Sequence, residues 1–197
     1  ALEIIHAAKE SGADCIKIQT YTPDTMTIDS EKKWFQIKKG IWAGENLYKL
    51  YEKAYTPWEW QSKLKEEAEK IGLHFLSTAF DKTSVDFLEE LGVNFYKIAS
   101  FEVTDIPLIK YIASKKKPII VSTGMATLGE IEEAVTAIKS QGNQDLSLLK
   151  CSSAYPATPA DMNLKTIKHL EETFDVIAGL SDHSLGSIAA VTAVAMG

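Results

Sequence analysis

The chain has 197 residues, 45% hydrophobic and 24% charged, with a formal net charge of -6. That composition excludes collagen-like, disordered and disulfide-rich chains. Its two cysteines, Cys15 and Cys151, cannot build a disulfide framework and fit a reducing cytoplasm.

Short β-rich runs alternate with helical patterns along nearly the whole length. Residues 2–11 read as a helix that ends near Gly12, followed by a strand from Ala13 to Tyr21. Trp60, Leu64, Ala68 and Ile71 share one helical face, which Gly72 closes. Residues 74–80 read as a strand, Val85, Leu88 and Leu91 as a short helix, and residues 95–100 as the next strand. Ile106, Ile109 and Ile112 predict a helix before a strand over 118–124. Thr127 and Glu130 have capping-box spacing ahead of Ile131, Ala134, Val135 and Ile138. A strand over 146–152, a helix through Leu164, Ile167 and Leu170, and a strand over 176–182 follow. Ser184 is placed to cap a last, alanine-rich helix. The longest apolar stretch, Ile188 to Met196, is too short for a membrane span and is interrupted by Thr192. With no signal peptide visible, neither a membrane nor, given the acidic balance, a nucleic acid is expected as a partner.

Strand–helix repeats at this spacing predict an α/β fold with parallel strands, either a doubly wound sheet or a (β/α)8 TIM barrel. Polar groups end all the strands: Gln19 and Thr20, Ser77 and Thr78, Ser100, Ser122 and Thr123, Ser152 and Ser153, and Ser181 to His183. An open sheet gathers ligand groups at one switch point, but a barrel brings every strand end to one mouth. The barrel is therefore favoured, and no glycine-rich dinucleotide fingerprint argues against it. Residues 22–57 are too long for an ordinary βα loop. With the adjoining Trp58 and Trp60 they hold all four tryptophans. They read as a helical excursion with its own small core, as a lid over the mouth, or as both.

Lys17 and Lys97 lie inside strand patterns with apolar neighbours. A lysine there is costly to bury unless an anion compensates it, so the pair points to a phosphate or carboxylate. A Schiff-base lysine or a lysine paired with Glu102 are the other readings. Thr78, Ser100, Ser122, Ser152, Ser153 and Ser181 each suit helix capping singly. Converging on one mouth with two lysines, they suit a phosphorylated, anionic small molecule. Glu102, at the rim, can act as general acid or base or stay a solvated loop residue. His183 is a plausible metal ligand, but His6, His74 and His169 are not placed to complete a site.

Four segments together resemble the sialic acid synthase (N-acetylneuraminate synthase) family. They are residues 75–81 (FLSTAFD), 96–100 (YKIAS), 122–131 (STGMATLGEI) and 179–184 (GLSDHS). Residues 17–26, 46–60 and 100–107 are most similar to the branch that makes pseudaminic acid. The resemblance implies a TIM-barrel enzyme that condenses phosphoenolpyruvate with an amino sugar and releases phosphate by C–O cleavage. It places Lys17, Thr78, Lys97, Ser100, Ser122 and Ser181 on the phosphoenolpyruvate. It places Gln19, Glu102 and Tyr155 toward the sugar, with Glu102 moving protons beside Lys97. Ser153 stands where neuraminate synthases carry an asparagine near the phosphate, and His183 matches one of two histidines that bind a divalent metal, Mn2+ or Mg2+. It further implies a homodimer for the full-length protein.

Other features of the family lack counterparts here: a first-strand glutamate, an eighth-strand histidine and a C-terminal antifreeze-like domain. Complete barrels of this type run to about 250 residues. The chain is therefore expected to be one partial barrel domain over 1–197, with strands two to seven of the eight. An N-acetylneuraminate or legionaminic acid synthase, a Schiff-base aldolase using Lys17 or Lys97, and a non-catalytic barrel that only binds a sugar are the alternative functions.

Overall fold

In the computed structural model, which describes residues 1–197, the strand–helix repeats form in the predicted order. Two compact units, Ala1–Val93 and Asn94–Gly197, divide the chain.

The first unit holds α1 (Leu2–Glu10), β1 (Cys15–Thr20), α2 (Pro23–Met26), α3 (Leu47–Ala54), α4 (Trp58–Lys70), β2 (His74–Ala79) and α5 (Lys82–Glu90). β1 and β2 are parallel, with Cys15 opposite His74 and Thr20 opposite Ala79. Leu64 and Ala68 of α4, Phe75 and Ala79 of β2, and Val85 and Leu88 of α5 are buried. Asp81 starts α5 by accepting the amide hydrogens of Thr83 and Ser84, while Ser84 Oγ accepts the Asp81 N–H. This reciprocal cap satisfies donors that the first helical turn leaves open.

The expected apolar face of α4 is corrected in one place. Trp60 is exposed, and Gln61 is the residue that turns inward. It does so because a polar partner waits there. Thr20 Oγ1 donates to Gln61 Oε1 at 2.8 Å and lies 2.6 Å from Ser77 Oγ. This polar knot ties α4 to the ends of β1 and β2.

Residues 22–57 form the helical excursion, with α2, a 3-10 turn at Lys33–Phe35, and α3. Asn46 caps α3 through Tyr48 N–H and Lys49 N–H, and its amide donates to the Ser30 carbonyl at 2.9 Å. Tyr48 donates to Asp24, and Trp58 Nε1 donates to the Tyr21 carbonyl. The aromatic core is small: Tyr21 meets Tyr51 and Phe80 edge-on, with centroids 5.7 and 5.6 Å away. Trp34 and Trp42 lie outside it, on the surface.

The second unit holds β3 (Tyr96–Ile98), α6 (Ile106–Ser114), β4 (Ile119–Ser122), α7 (Leu128–Ser140), β5 (Leu146–Cys151), α8 (Thr166–Phe174), β6 (Ile177–Ser181) and α9 (Ile188–Ala195). Its strands pair in chain order and all are parallel. Lys97 stands opposite Ile120, Ser122 opposite Leu149, and Cys151 opposite Ser181. With strands parallel and sequential, all the C-terminal ends reach one rim. Tyr96, Ile98, Ile109, Ile112, Ile119, Val121, Ile138 and Leu148 make the core. Burying one such side chain stabilises the fold by roughly 1.5–3 kcal/mol. The predicted Thr127–Glu130 capping box forms at the start of α7.

Two expectations change in this unit. β3 is shorter than 95–100, because Ser100 opens a 3-10 turn through Glu102 that redirects the chain to α6. Ser184 does not cap the last helix. Gly186, at φ 82°, turns the chain, α9 starts at Ile188, and Ser184 Oγ is buried without a partner. A left-handed φ is open to glycine at little cost. No helix is long and apolar enough to cross a membrane.

Candidate active site

Lys97 sits in the middle of β3, between the core residues Tyr96 and Ile98, with only 6% of its surface exposed. Its side chain runs toward the strand's C-terminal end. There Nζ donates to Ser122 Oγ at 2.7 Å and to the Ile98 carbonyl at 2.6 Å. Next to this pair, Ser100 Oγ accepts the Gly124 N–H at 3.1 Å. Gly124 has no room for a side chain. A Cβ there would stand 2.9 Å from Ser100 Oγ and 3.1 Å from Cys151 Sγ, and closer still to Ser153 Oγ. The ends of β3, β4 and β5 thus bring two serine hydroxyls and a thiol around Gly124, and Lys97 bonds Ser122 on the same rim. Such a set suits an anion, through charge-assisted hydrogen bonds.

Glu102 ends the 3-10 turn that follows β3. Burial pushes its carboxyl up to about 6, while its own backbone N–H and the Lys97 ammonium pull the other way and Asp105 adds to the rise. Its Oε2 is buried with no hydrogen-bond partner. A carboxyl in that condition exchanges a proton near neutral pH, which suits acid–base chemistry.

His183 follows β6 and is gripped by the segment after β5. Its Nδ1 lies 3.0 Å from the Ser152 carbonyl oxygen and 3.8 Å from Cys151 Sγ. The Tyr155 ring packs against the imidazole with centroids 4.3 Å apart and planes at 38°. Ala157 N–H donates to the His183 carbonyl at 2.9 Å. The carbonyl of Ser152 can only accept, so the Nδ1 contact leaves the Nε2 lone pair of a neutral ring available. That arrangement is typical of a metal-binding histidine. His183 fits one position of such a site. No group of three or more His, Cys, Asp or Glu side chains is close enough to hold an ion.

In the first unit, Lys17 and Gln19 lie two residues apart on β1, on one face, and Gln19 stands opposite Thr78 of β2. Lys17 is exposed on β1, against the expectation of a lysine buried in its strand, because its side chain leaves the sheet on the open face; partial desolvation by its neighbours still pulls its ammonium below the ordinary value. Lys17 and Gln19 also line a recess of about 420 Å³ with Tyr55 and Trp60.

The rim of the second unit therefore assembles Lys97, Ser100, Ser122 and Ser153, places Glu102 within the field of Lys97, and joins Tyr155 to His183. Ser181 is at the rim, level with Cys151, but shares in none of these contacts. Three participants escape sequence reasoning. Lys150 of β5 folds forward like Lys97, donating to the Cys151 carbonyl at 2.7 Å, and a third lysine in a strand is a readable signal. Gly124 and Cys151 gave no signal beyond their position at strand ends, because crowding is a property of the packed rim.

Residues 4–197 match the NeuB family profile. The chain belongs to the NeuB family. It is 51% identical over its whole length to a pseudaminic acid synthase of Campylobacter jejuni, and spans 57% of that protein. It is 40% identical to an N,N'-diacetyllegionaminic acid synthase of Legionella pneumophila, again over its whole length and 56% of the relative. Among solved structures it is similar to an N-acetylneuraminic acid synthetase of Leptospira borgpetersenii in complex with citrate. That likeness has a TM-score of 0.87 and 32% identity, covering 100% of this chain and 64% of that one. The expected fold holds: this is the α/β, TIM-barrel architecture of the NeuB synthases, of which the chain carries six strand–helix repeats.

Proposed function

We propose that this chain is the substrate-binding part of a pseudaminic acid synthase. The reaction joins phosphoenolpyruvate to 2,4-diacetamido-2,4,6-trideoxy-L-altrose and releases phosphate. One observation carries the branch choice: identity over the same full length is 51% to a pseudaminic acid synthase and 40% to a legionaminic acid synthase.

The chemistry follows from the residues. Lys97, Ser122 and Ser100, with the Gly124 backbone, hold the anionic groups of phosphoenolpyruvate. The enol carbon of phosphoenolpyruvate attacks the open-chain aldehyde, leaving positive character on the neighbouring carbon. Water adds there, and the C–O bond to phosphate then breaks. Glu102, with a carboxyl that titrates at about 6, gives its proton to the aldehyde oxygen as that becomes a hydroxyl and takes one from the attacking water, while the hydroxyl proton left on that carbon goes to the departing phosphate as the ketone forms. Tyr155 faces the sugar in this reading. Ser181 and Ser153 line the phosphoenolpyruvate side. When bound, Mn2+ or Mg2+ at His183 supplies Lewis-acid polarisation of the aldehyde oxygen. The full-length protein is a homodimer in the same proposal.

The test uses the full-length protein. Phosphate is expected from phosphoenolpyruvate with the altrose-derived sugar, and none with N-acetylmannosamine. Activity should vanish with a chelator and return with manganese or magnesium. The reverse sugar preference overturns the branch. The lowered Lys17 ammonium favours one other reading, an aldolase. A borohydride-trapped substrate adduct on Lys17, with activity that survives the chelator, would establish it instead.

A further inference from the structure

We propose that Tyr155 is a positioning residue whose ring locks the imidazole of His183, so that Nδ1–H points at Ser152 and Nε2 faces the ligand. This rests on the reading of His183 as a metal-binding group, and goes beyond placing Tyr155 toward the sugar.

The hydrogen bond alone does not hold the imidazole in place. Nδ1 lies 3.0 Å from the Ser152 carbonyl, and an oxygen of that kind accepts but never donates. Nδ1 must then carry the hydrogen, and Nε2 of the neutral ring is bare. A half-turn about Cβ–Cγ would put a carbon where Nδ1 stands and would break the bond. One neutral hydrogen bond at a partly buried site contributes only about 0.5–1.5 kcal/mol net, so it does not hold the ring by itself.

A second restraint is present. The Tyr155 ring lies against the imidazole at 4.3 Å between centroids, with planes 38° apart. A contact of this kind fixes the plane of the imidazole, and within that plane the Ser152 carbonyl selects the turn that puts Nδ1–H on it. The Tyr155 ring is also placed by backbone. Ala157 N–H donates to the His183 carbonyl, and Ala157 bridges Ser184, so the loop bearing the tyrosine is stitched to the segment bearing the histidine. Tyr155 is itself 56% exposed, so its ring is not a core element whose loss would unfold the unit. Partners that orient a metal-bound histidine typically change metal affinity 10–100-fold when removed.

The experiment uses the full-length protein, freed of metal and labelled with ¹⁵N-histidine, at a pH where the ring is neutral. Two-bond ¹H–¹⁵N spectra identify the protonated nitrogen, and Mn2+ affinity is read from the free-ion EPR signal. Wild type should show the Nδ1–H form of His183. Tyr155→Leu should show mixed tautomers and bind Mn2+ roughly 10–100-fold more weakly. Tyr155→Phe keeps the ring and should restore both the tautomer and the affinity, even if sugar turnover falls. A wild-type tautomer and affinity in Tyr155→Leu overturns the proposal, and so does a Tyr155→Phe protein as impaired as Tyr155→Leu. His183→Ala separates the two claims. Unchanged Mn2+ affinity there removes the metal reading, while the tautomer comparison still decides whether Tyr155 locks the ring.

Discussion

The rim of the second unit and the excursion over residues 22–57 both depend on side-chain hydrogen bonds, but spend them differently. At the rim, Lys97 and Ser122 are nearly inaccessible and bond to each other, and Gly124 is crowded on three sides. In the excursion, Asn46 and Tyr48 close turns, while Trp34 and Trp42 stay exposed. Its ion pairs, Lys49 with Glu31 and Lys53 with Glu45, lie on the surface, where such pairs contribute about 0–1 kcal/mol. Buried polar groups are costly unless each meets a partner, so a buried ammonium among hydroxyls at a strand end, unlike the uncharged knot of Thr20, Ser77 and Gln61, suits an anionic ligand. Exposed aromatic residues on a capped loop carry no such cost and by themselves mark no site.

The comparison breaks most sharply at Glu102. Glu102→Gln in the full-length protein is expected to lower turnover by about 10²–10⁴-fold with phosphoenolpyruvate affinity nearly kept, measured by phosphate release and by calorimetry. Wild-type turnover would remove Glu102 from proton transfer. The same substitution should raise stability. Because the folded carboxyl titrates at about 6, above its ordinary 4.5, the folded state holds the proton more tightly than the unfolded chain. The stability from this group is complete below about 4.5 and is lost as pH rises through about 6. Urea unfolding should therefore find the glutamine variant more stable by about 2 kcal/mol at pH 8 and nearly equal to wild type at pH 4.

Gly124→Ala ranks next. The added methyl group must displace Ser100, Ser153 or Cys151, and overpacking of this kind costs about 1–3 kcal/mol. A matching loss of phosphoenolpyruvate affinity, with the sugar KM little changed, would place the damage at the anion cradle. Equal changes in both would spread it over the rim.

Asn46→Ala removes the cap of α3 and one tie to Ser30, and should cost about 1 kcal/mol in urea unfolding. If the excursion only packs its own core, turnover stays at the wild-type value. A rise in the sugar KM would make it a lid as well. Trp34→Ala should shift stability by less than about 0.5 kcal/mol, because the indole is exposed and its neighbour is the Lys33 ammonium, 4.5 Å from the ring. A larger loss would show that the aromatic surface is covered in the working protein.

Much of this was legible in the residues. The short β-rich runs and the apolar helical faces found every strand and its following helix, and Thr127 with Glu130 announced the start of α7. Lys97 was legible because a charged residue between Tyr96 and Ile98 violates the apolar pattern of a buried strand. Trp60 and Gln61 show the limit. Hydropathy alone puts the tryptophan inside, but Thr20, 41 positions away, offers a partner that makes the glutamine the better inward residue. Ser184 shows the same limit at a helix end, since a glycine turn moved the start of α9 past it.

By itself, then, the sequence determined the strand–helix order, the rim at which polar groups collect, and the family through its motifs. These are local properties, set by spacing and by the side chains' own chemistry. Only the tertiary structure decided that Ser100, Cys151 and Ser153 crowd Gly124, that Glu102 keeps an unpartnered oxygen and titrates near neutral pH, and that Tyr155 lies on His183. Each of these depends on distance and desolvation between residues far apart in the chain, and those are fixed only when the strands stand side by side.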